Sequence, residues 1–180
     1  MSPSPRHVVV VGLMGSGKST LARGLAAELE RPIVDSDEQL RQSVERTARE
    51  IAESDGIQTL HRIEADLLLG SLDEPTPSII AAAASTIEDD RCREAMQAPD
   101  VFVVWLHGSI ETLAARVLSS GHRPLVADDP AAVLAEQKDV REPLFATLAD
   151  AVIDIDGATR DEVRAAALAL LRALDEGGEV

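Results

Sequence analysis

Gly12-Leu13-Met14-Gly15-Ser16-Gly17-Lys18-Ser19-Thr20 follows an apolar, β-branched run at residues 8–11 and precedes a stretch in which Leu21, Leu25 and Leu29 recur at every fourth position. The segment satisfies the pattern G-x-x-x-x-G-K-[ST] in full, and it stands between a buried strand and an amphipathic helix, the context that pattern requires. The glycines let the backbone turn tightly and aim its N–H groups inward at phosphate oxygens. A helix starting near Lys18 adds the positive end of its dipole. The Lys18 ammonium reaches the β- and γ-phosphates of a nucleotide, and the Ser19 hydroxyl binds Mg²⁺. Gly12, Met14, Gly15, Ser16, Gly17, Lys18, Ser19 and Thr20 are therefore the expected nucleotide-binding residues. A glycine turn ahead of a helix is the plainer alternative; the complete pattern and its placement favour phosphate binding.

Outward from this loop, strands and helices alternate. A helix over 18–30 is broken by Pro32, and Ile33-Val34 begins a second strand that ends at Asp35. Helical patterns cover 37–53 and 57–70, a turn lies between Pro75 and Pro77, and 78–84 reads as a third strand. Residues 88–97 are helical, 101–106 form the clearest strand, and 110–118 are helical again. The Ser-, Gly-, Pro- and Asp-bearing stretch 119–130 is a loop long enough to act as a lid. A helix over 131–149 with a break at Pro143, a fifth strand over 151–155 and a last helix over 159–175 complete the chain, followed by a polar tail. Such alternation predicts an α/β fold of three layers, with a parallel sheet covered by helices on both faces. No linker or repeat divides the sequence, so a single domain over 1–180 is expected.

The composition narrows the function. The chain has 180 residues, 45% of them hydrophobic but only 2% aromatic and none of them Tyr, so the core is built from Ala, Val, Leu and Ile. That argues against platforms that stack bases or sugars on aromatic rings. The formal net charge of −15 argues against nucleic acid and anionic membranes as partners. It does not exclude a nucleotide, because a local nest of N–H groups holds phosphate inside an acidic protein. Cys92 is the sole cysteine, which fits a reducing, cytoplasmic compartment. It is expected to be inert, and Trp105 to be a core residue. No stretch approaches the roughly 20 apolar residues of a membrane helix. No helix shows a surplus apolar stripe, so a monomer is expected.

Asp35-Ser36-Asp37 follows the second strand. Carboxylates at the carboxyl end of a parallel strand face the crevice where ligands bind in open α/β sheets. One can hold Mg²⁺ or its waters, and the other can accept the proton of a substrate hydroxyl. Either could instead cap the next helix.

With the phosphate loop, Asp35-Ser36-Asp37 and His122-Arg123-Pro124-Leu125 in this order, the chain resembles the shikimate kinase family over about residues 7–172. The resemblance implies five parallel strands in the order 2-3-1-4-5 and phosphorylation of the 3-hydroxyl of shikimate by ATP with Mg²⁺. It places Asp37 on the aspartate that holds the reacting hydroxyls and Asp35 on the one near Mg²⁺. The acceptor-binding segment is about 36–70, with 56–64 in its substrate site and Glu64 on its acidic residue. Arg116 falls on an arginine that packs on adenine, and Arg123 on a lid arginine that reaches the ATP phosphates. Arg141, in Arg141-Glu142-Pro143-Leu144-Phe145, falls on an arginine that grips the shikimate carboxylate.

The acceptor side departs from the family. A second carboxylate-binding arginine falls on His61, which lacks the rigid, always-charged fork of a guanidinium. A pocket phenylalanine falls on Ala52, another on Leu60, and a glutamate on Ile57. Three glycines after the third strand fall on about Ala83, Ala84 and Ser85, where added side-chain atoms fill space and disfavour positive φ. His61 stands open as a catalytic base, a weaker carboxylate partner or a surface histidine. Three functions follow: a shikimate kinase with a modified pocket; a kinase of this fold for another hydroxy-acid, polyol or nucleoside-like acceptor; or an ATP-binding regulatory protein without catalysis. In the first two, Lys18, Asp37 and Arg123 carry the chemistry, and a small, anionic acceptor is expected against Arg141.

Overall fold

Four consecutive valines in His7–Val11 (β1) can be buried on both faces only in the middle of a covered sheet, and every residue of β1 is buried. The computed structural model describes residues 7–119 and 129–177. In it β1 pairs in parallel with Ser78–Ala81 (β3) on one side and Val101–His107 (β4) on the other, so that Val9 lies opposite Ile80 and Val103. Ile33–Asp35 (β2) pairs with β3, and Ala151–Asp154 (β5) with β4, each in parallel. The order is β2-β3-β1-β4-β5, as expected. Chain direction across the sheet reverses beside β1, and the crevice at the carboxyl ends of its strands is the place where such sheets bind ligands.

Lys18–Glu28 (α1) starts on the phosphate loop and buries Leu21, Ala22, Leu25 and Ala26, the face predicted by the leucine spacing. The stretch expected as one helix over 37–53 is two, Ser36–Val44 (α2) and Ala48–Asp55 (α3). Glu45 ends α2 in the left-handed region at φ 55°, and Thr47 opens α3 with a capping box to Glu50. That box satisfies donors a continuous helix would have paired internally, which is why the chain restarts there. Ile57–Asp73 (α4) runs past its expected end. Leu40, Ile51 and Leu60, one from each of these helices, form a second apolar cluster apart from the main core. This small cluster sets how α2 and α4 sit over the sheet. Ile51 is fully buried in it, so Ile51→Ala is expected to cost about 3 kcal/mol, read as a lower urea midpoint at unchanged slope.

The third strand ends at Ala81, not at 84; Ala84–Glu88 is a 3-10 turn leading to Asp90–Met96 (α5). Ala83 adopts φ −61° and ψ 140°, so the alanines sit there without strain. The segment has a backbone that alanine accepts, which answers the penalty expected for replacing glycines. Ile110–Ser119 (α6) and Pro130–Leu148 (α7) bound the stretch expected as a lid, of which 120–128 lie outside the described residues. α7 is continuous through Pro143, where a break was expected. Pro143 and Asp139 are both exposed, so the carbonyl of Asp139 that loses its helical donor meets water. Arg160–Gly177 (α8) closes the fold and packs on α1 and β5. Trp105 is buried and stacks on Phe145, a core position as expected.

Candidate active site

The phosphate loop needs glycine for two separate reasons. Gly12 and Gly15 have φ of 146° and 83°, and a Cβ at either would meet backbone. It would stand 2.7 Å from the Leu106 carbonyl oxygen at Gly12, and 2.6 Å from that of Leu113 at Gly15. The loop is thus pressed against β4 and α6 on its outer side, which leaves its amide face to the crevice. Gly17 caps α1, and Ser19 lies half-buried in the first turn. Ser16 Oγ is buried and has no hydrogen-bond partner among the described residues. A buried hydroxyl without a partner is costly, and one inside a nest of amides at a helix start fits an anion as its missing partner. Met14 packs on the core beneath the loop, and Thr20 is exposed.

Lys18 projects from this loop with its Nζ donating to the Leu13 carbonyl at 3.1 Å. Burial holds its pKa down to about 8, against an ordinary 10.5; Arg141 lowers it further, and Asp37, Asp35 and Glu64 oppose the shift. Those four groups come from the start of α2, the end of β2, α4 and α7, so the fold gathers them around one ammonium. Linkage fixes the sign of the pH effect. The charged Lys18 costs the free protein stability below pH 8, and that cost fades as pH rises from about 8 to 10.5. Binding of a triphosphate is expected to move the opposite way. Above pH 8 it takes up a proton at Lys18, and its affinity weakens as pH climbs. Calorimetry of MgATP in two buffers of different ionisation enthalpy checks this; a dissociation constant that is flat from about pH 7 to 9, with no proton uptake, would overturn it.

Asp35 is buried at the end of β2. Its Oδ1 accepts from the Asp37 amide at 3.2 Å, and its Oδ2 accepts from Arg23 Nη2 at 3.1 Å. It is therefore the N-cap of α2, the helix-capping alternative raised by the sequence. Arg23, which sequence reasoning missed, helps neutralise it. Asp37 is exposed in the first turn of α2 and faces the crevice charge. The oxygen donors of Asp35 and Ser19 suit Mg²⁺, a hard cation. Among the described residues no group of three or more His, Cys, Asp or Glu could hold a metal alone. An ion here fits only with nucleotide phosphates completing its shell, the usual arrangement for Mg²⁺ at such loops.

The side of the crevice where the sequence leads us to expect an acceptor is a polar cluster. Glu64 accepts a hydrogen bond from buried Ser85, and burial pushes its pKa up, with Asp37 adding to the rise. Arg141 is buried, and its Nε donates to Glu88 Oε1 at 2.5 Å. His61 is half-buried; burial and then Arg141 lower its pKa, and Glu88 raises it. Arg141 and Glu88 thus lie within electrostatic range of His61. Glu88 was missed from the sequence, where nothing marks a lone acid at the end of a 3-10 turn. Ala83 and Ala84 are half-buried beside this cluster.

Arg116 stands on the opposite side of the loop. Its Nη1 donates to the Ser16 carbonyl at 3.4 Å and its Nη2 to that of Ile155 at 3.3 Å, tying the phosphate loop to the end of β5. Arg123 lies outside the described residues. Cys92 is buried, and desolvation raises its thiol pKa to about 12, so it carries no thiolate at neutral pH.

Known proteins resemble this chain in sequence and fold. The shikimate kinase family model matches residues 14–172. A shikimate kinase of Pseudomonas savastanoi pv. phaseolicola is 34% identical over 84% of this chain and 87% of its own. One from Shewanella frigidimarina is 33% identical over 84% and 88%. Among solved structures, a shikimate kinase from Acinetobacter baumannii in complex with shikimate superposes with a TM-score of 0.84 at 25% identity, covering 97% of this chain and 94% of that one. With the phosphate loop, the sheet order and the match over nearly its whole length in agreement, the chain belongs to the shikimate kinase family, small-molecule kinases that use ATP and Mg²⁺ to phosphorylate a hydroxyl.

Proposed function

We propose that this protein transfers the γ-phosphoryl group of ATP to a hydroxyl of shikimate. The observation that carries the reading is the convergence of Lys18, Asp37, Glu64 and Arg141 at the carboxyl end of the sheet, within electrostatic reach of one another. Such a set holds phosphate on one side and an acidic polyol on the other.

In this reading the amides of Gly12 to Thr20 and the Lys18 ammonium bind the β- and γ-phosphates and take up the charge that develops on the transferred group. Ser19 and Asp35 would hold Mg²⁺, which would supply positive charge to the phosphate oxygens. Asp37 orients the acceptor hydroxyl and takes its proton, the role an aspartate plays toward a substrate hydroxyl in other kinases. Arg141 binds the acceptor's carboxylate; Glu64, His61, Ser85 and the backbone at Ala83 and Ala84 line the remainder of that pocket. Arg116 flanks the adenine, and Arg123 is the arginine assigned to the ATP phosphates. We read it as a single-domain monomer of the cytoplasm that does not bind nucleic acid; the net charge of −15 supports the last point, and a sole cysteine fits a reducing compartment.

Release of ADP with shikimate, set beside a panel of other hydroxy-acids, sugars and nucleosides, tests the proposal. Turnover with shikimate above the rest is expected. Turnover confined to another acceptor would replace shikimate in this reading. His61 in place of a second guanidinium is the feature that favours that outcome.

A further inference from the structure

Arg141 is the acceptor pocket's one buried guanidinium among the described residues, and a carboxylate of the protein itself already holds it. We propose that Glu88 is a competitor built into the pocket: its carboxylate occupies Arg141 in the free protein and gives way to the carboxylate of the incoming acceptor. The inference rests on the reading above, in which Arg141 binds that carboxylate.

The two partners differ in freedom. The Arg141 side chain is 7% exposed, whereas that of Glu88 is 40% exposed, so the glutamate can swing into solvent and the arginine cannot. The backbone on both sides of Glu88 is tied. The Ile87 carbonyl accepts from Arg93 at 2.6 Å, and Asp89 caps α5 by accepting from the Arg91 and Cys92 amides. Movement is thereby confined to the Glu88 side chain. A buried guanidinium left without an anion is strongly unfavourable, so the pair opens only as another carboxylate arrives. Tethering gives Glu88 a high local concentration at Arg141, and the acceptor must overcome it. An acceptor without a carboxylate cannot take its place.

Competition and simple support differ in sign. If Glu88 competes, Glu88→Gln, which keeps the shape and removes the charge, lowers the KM for shikimate about tenfold, about 1.4 kcal/mol of acceptor binding, with a smaller change in kcat and none in the KM for ATP. If Glu88 only orients the Arg141 fork, the same variant raises that KM. An unchanged or raised KM overturns the proposal. Glu88→Asp keeps the charge but shortens its reach, and is expected to lower KM by less; it serves if Glu88→Gln melts early. Should neither the wild type nor Glu88→Gln turn over shikimate, the acceptor reading fails, and calorimetry with shikimate alone decides the competitor. Tighter binding by Glu88→Gln supports it; equal binding, or no heat in either protein, overturns it.

Discussion

Lys18→Met is expected to lower kcat about 10³-fold, about 4 kcal/mol of transition-state stabilisation, while the free protein at pH 7 becomes no less stable. The two readouts move apart for one physical reason. Burial depresses the Lys18 pKa to about 8, so at neutral pH the fold carries an ammonium whose charged form burial disfavours. That charge is useful only when triphosphate oxygens arrive to meet it. Methionine fills the same volume without the charge, removing the cost together with the catalysis. A lost activity therefore cannot be blamed on unfolding. Activity within about tenfold of wild type, or an undiminished thermal shift with MgATP, would remove Lys18 from the phosphoryl-transfer step.

Asp37→Asn is expected to reduce kcat by about 10²–10³ with the MgATP dissociation constant nearly unchanged, because Asp37 acts on the acceptor hydroxyl while the phosphates are held elsewhere. Asp37 is exposed, and what α2 draws from it is an amide donated to Asp35, which asparagine retains. Stability should stay within about 0.5 kcal/mol. A second effect follows from the electrostatics. Asp37 leads the groups that oppose the drop in the Lys18 pKa, so its neutralisation shifts the pH dependence of ATP binding toward lower pH. A kcat within twofold of wild type, or a loss confined to the acceptor KM, would leave Asp37 as a binding group alone.

Much of the architecture was readable before any coordinates. The strand–loop–helix around Gly12-Leu13-Met14-Gly15-Ser16-Gly17-Lys18 is local, and its geometry follows from residue types adjacent in the chain. The departures have local causes too. Thr47 and Glu50 satisfy the capping-box spacing, a signal that could have divided the helix expected over 37–53. Pro143 looked like a break because a proline's neighbours on the solvent side cannot be seen in one dimension. Ala84 was read into the third strand because an apolar run does not show where backbone pairing stops; Ala82 is the last to donate to β1, at 3.1 Å to the Val10 carbonyl.

The sequence by itself determined the phosphate-binding half of this protein: the loop, the helix mouth, the lysine and the buried strand behind them are consecutive residues whose chemistry is complete within one short stretch. Only the tertiary structure decided the acceptor half. Arg141 and Glu88 are 53 positions apart and meet because α7 packs against the turn after β3, and Arg23 reaches Asp35 because α1 runs beside β2. Pairing of charges depends on distance in space, and whether a buried arginine is free or already held is fixed by packing that no local pattern encodes.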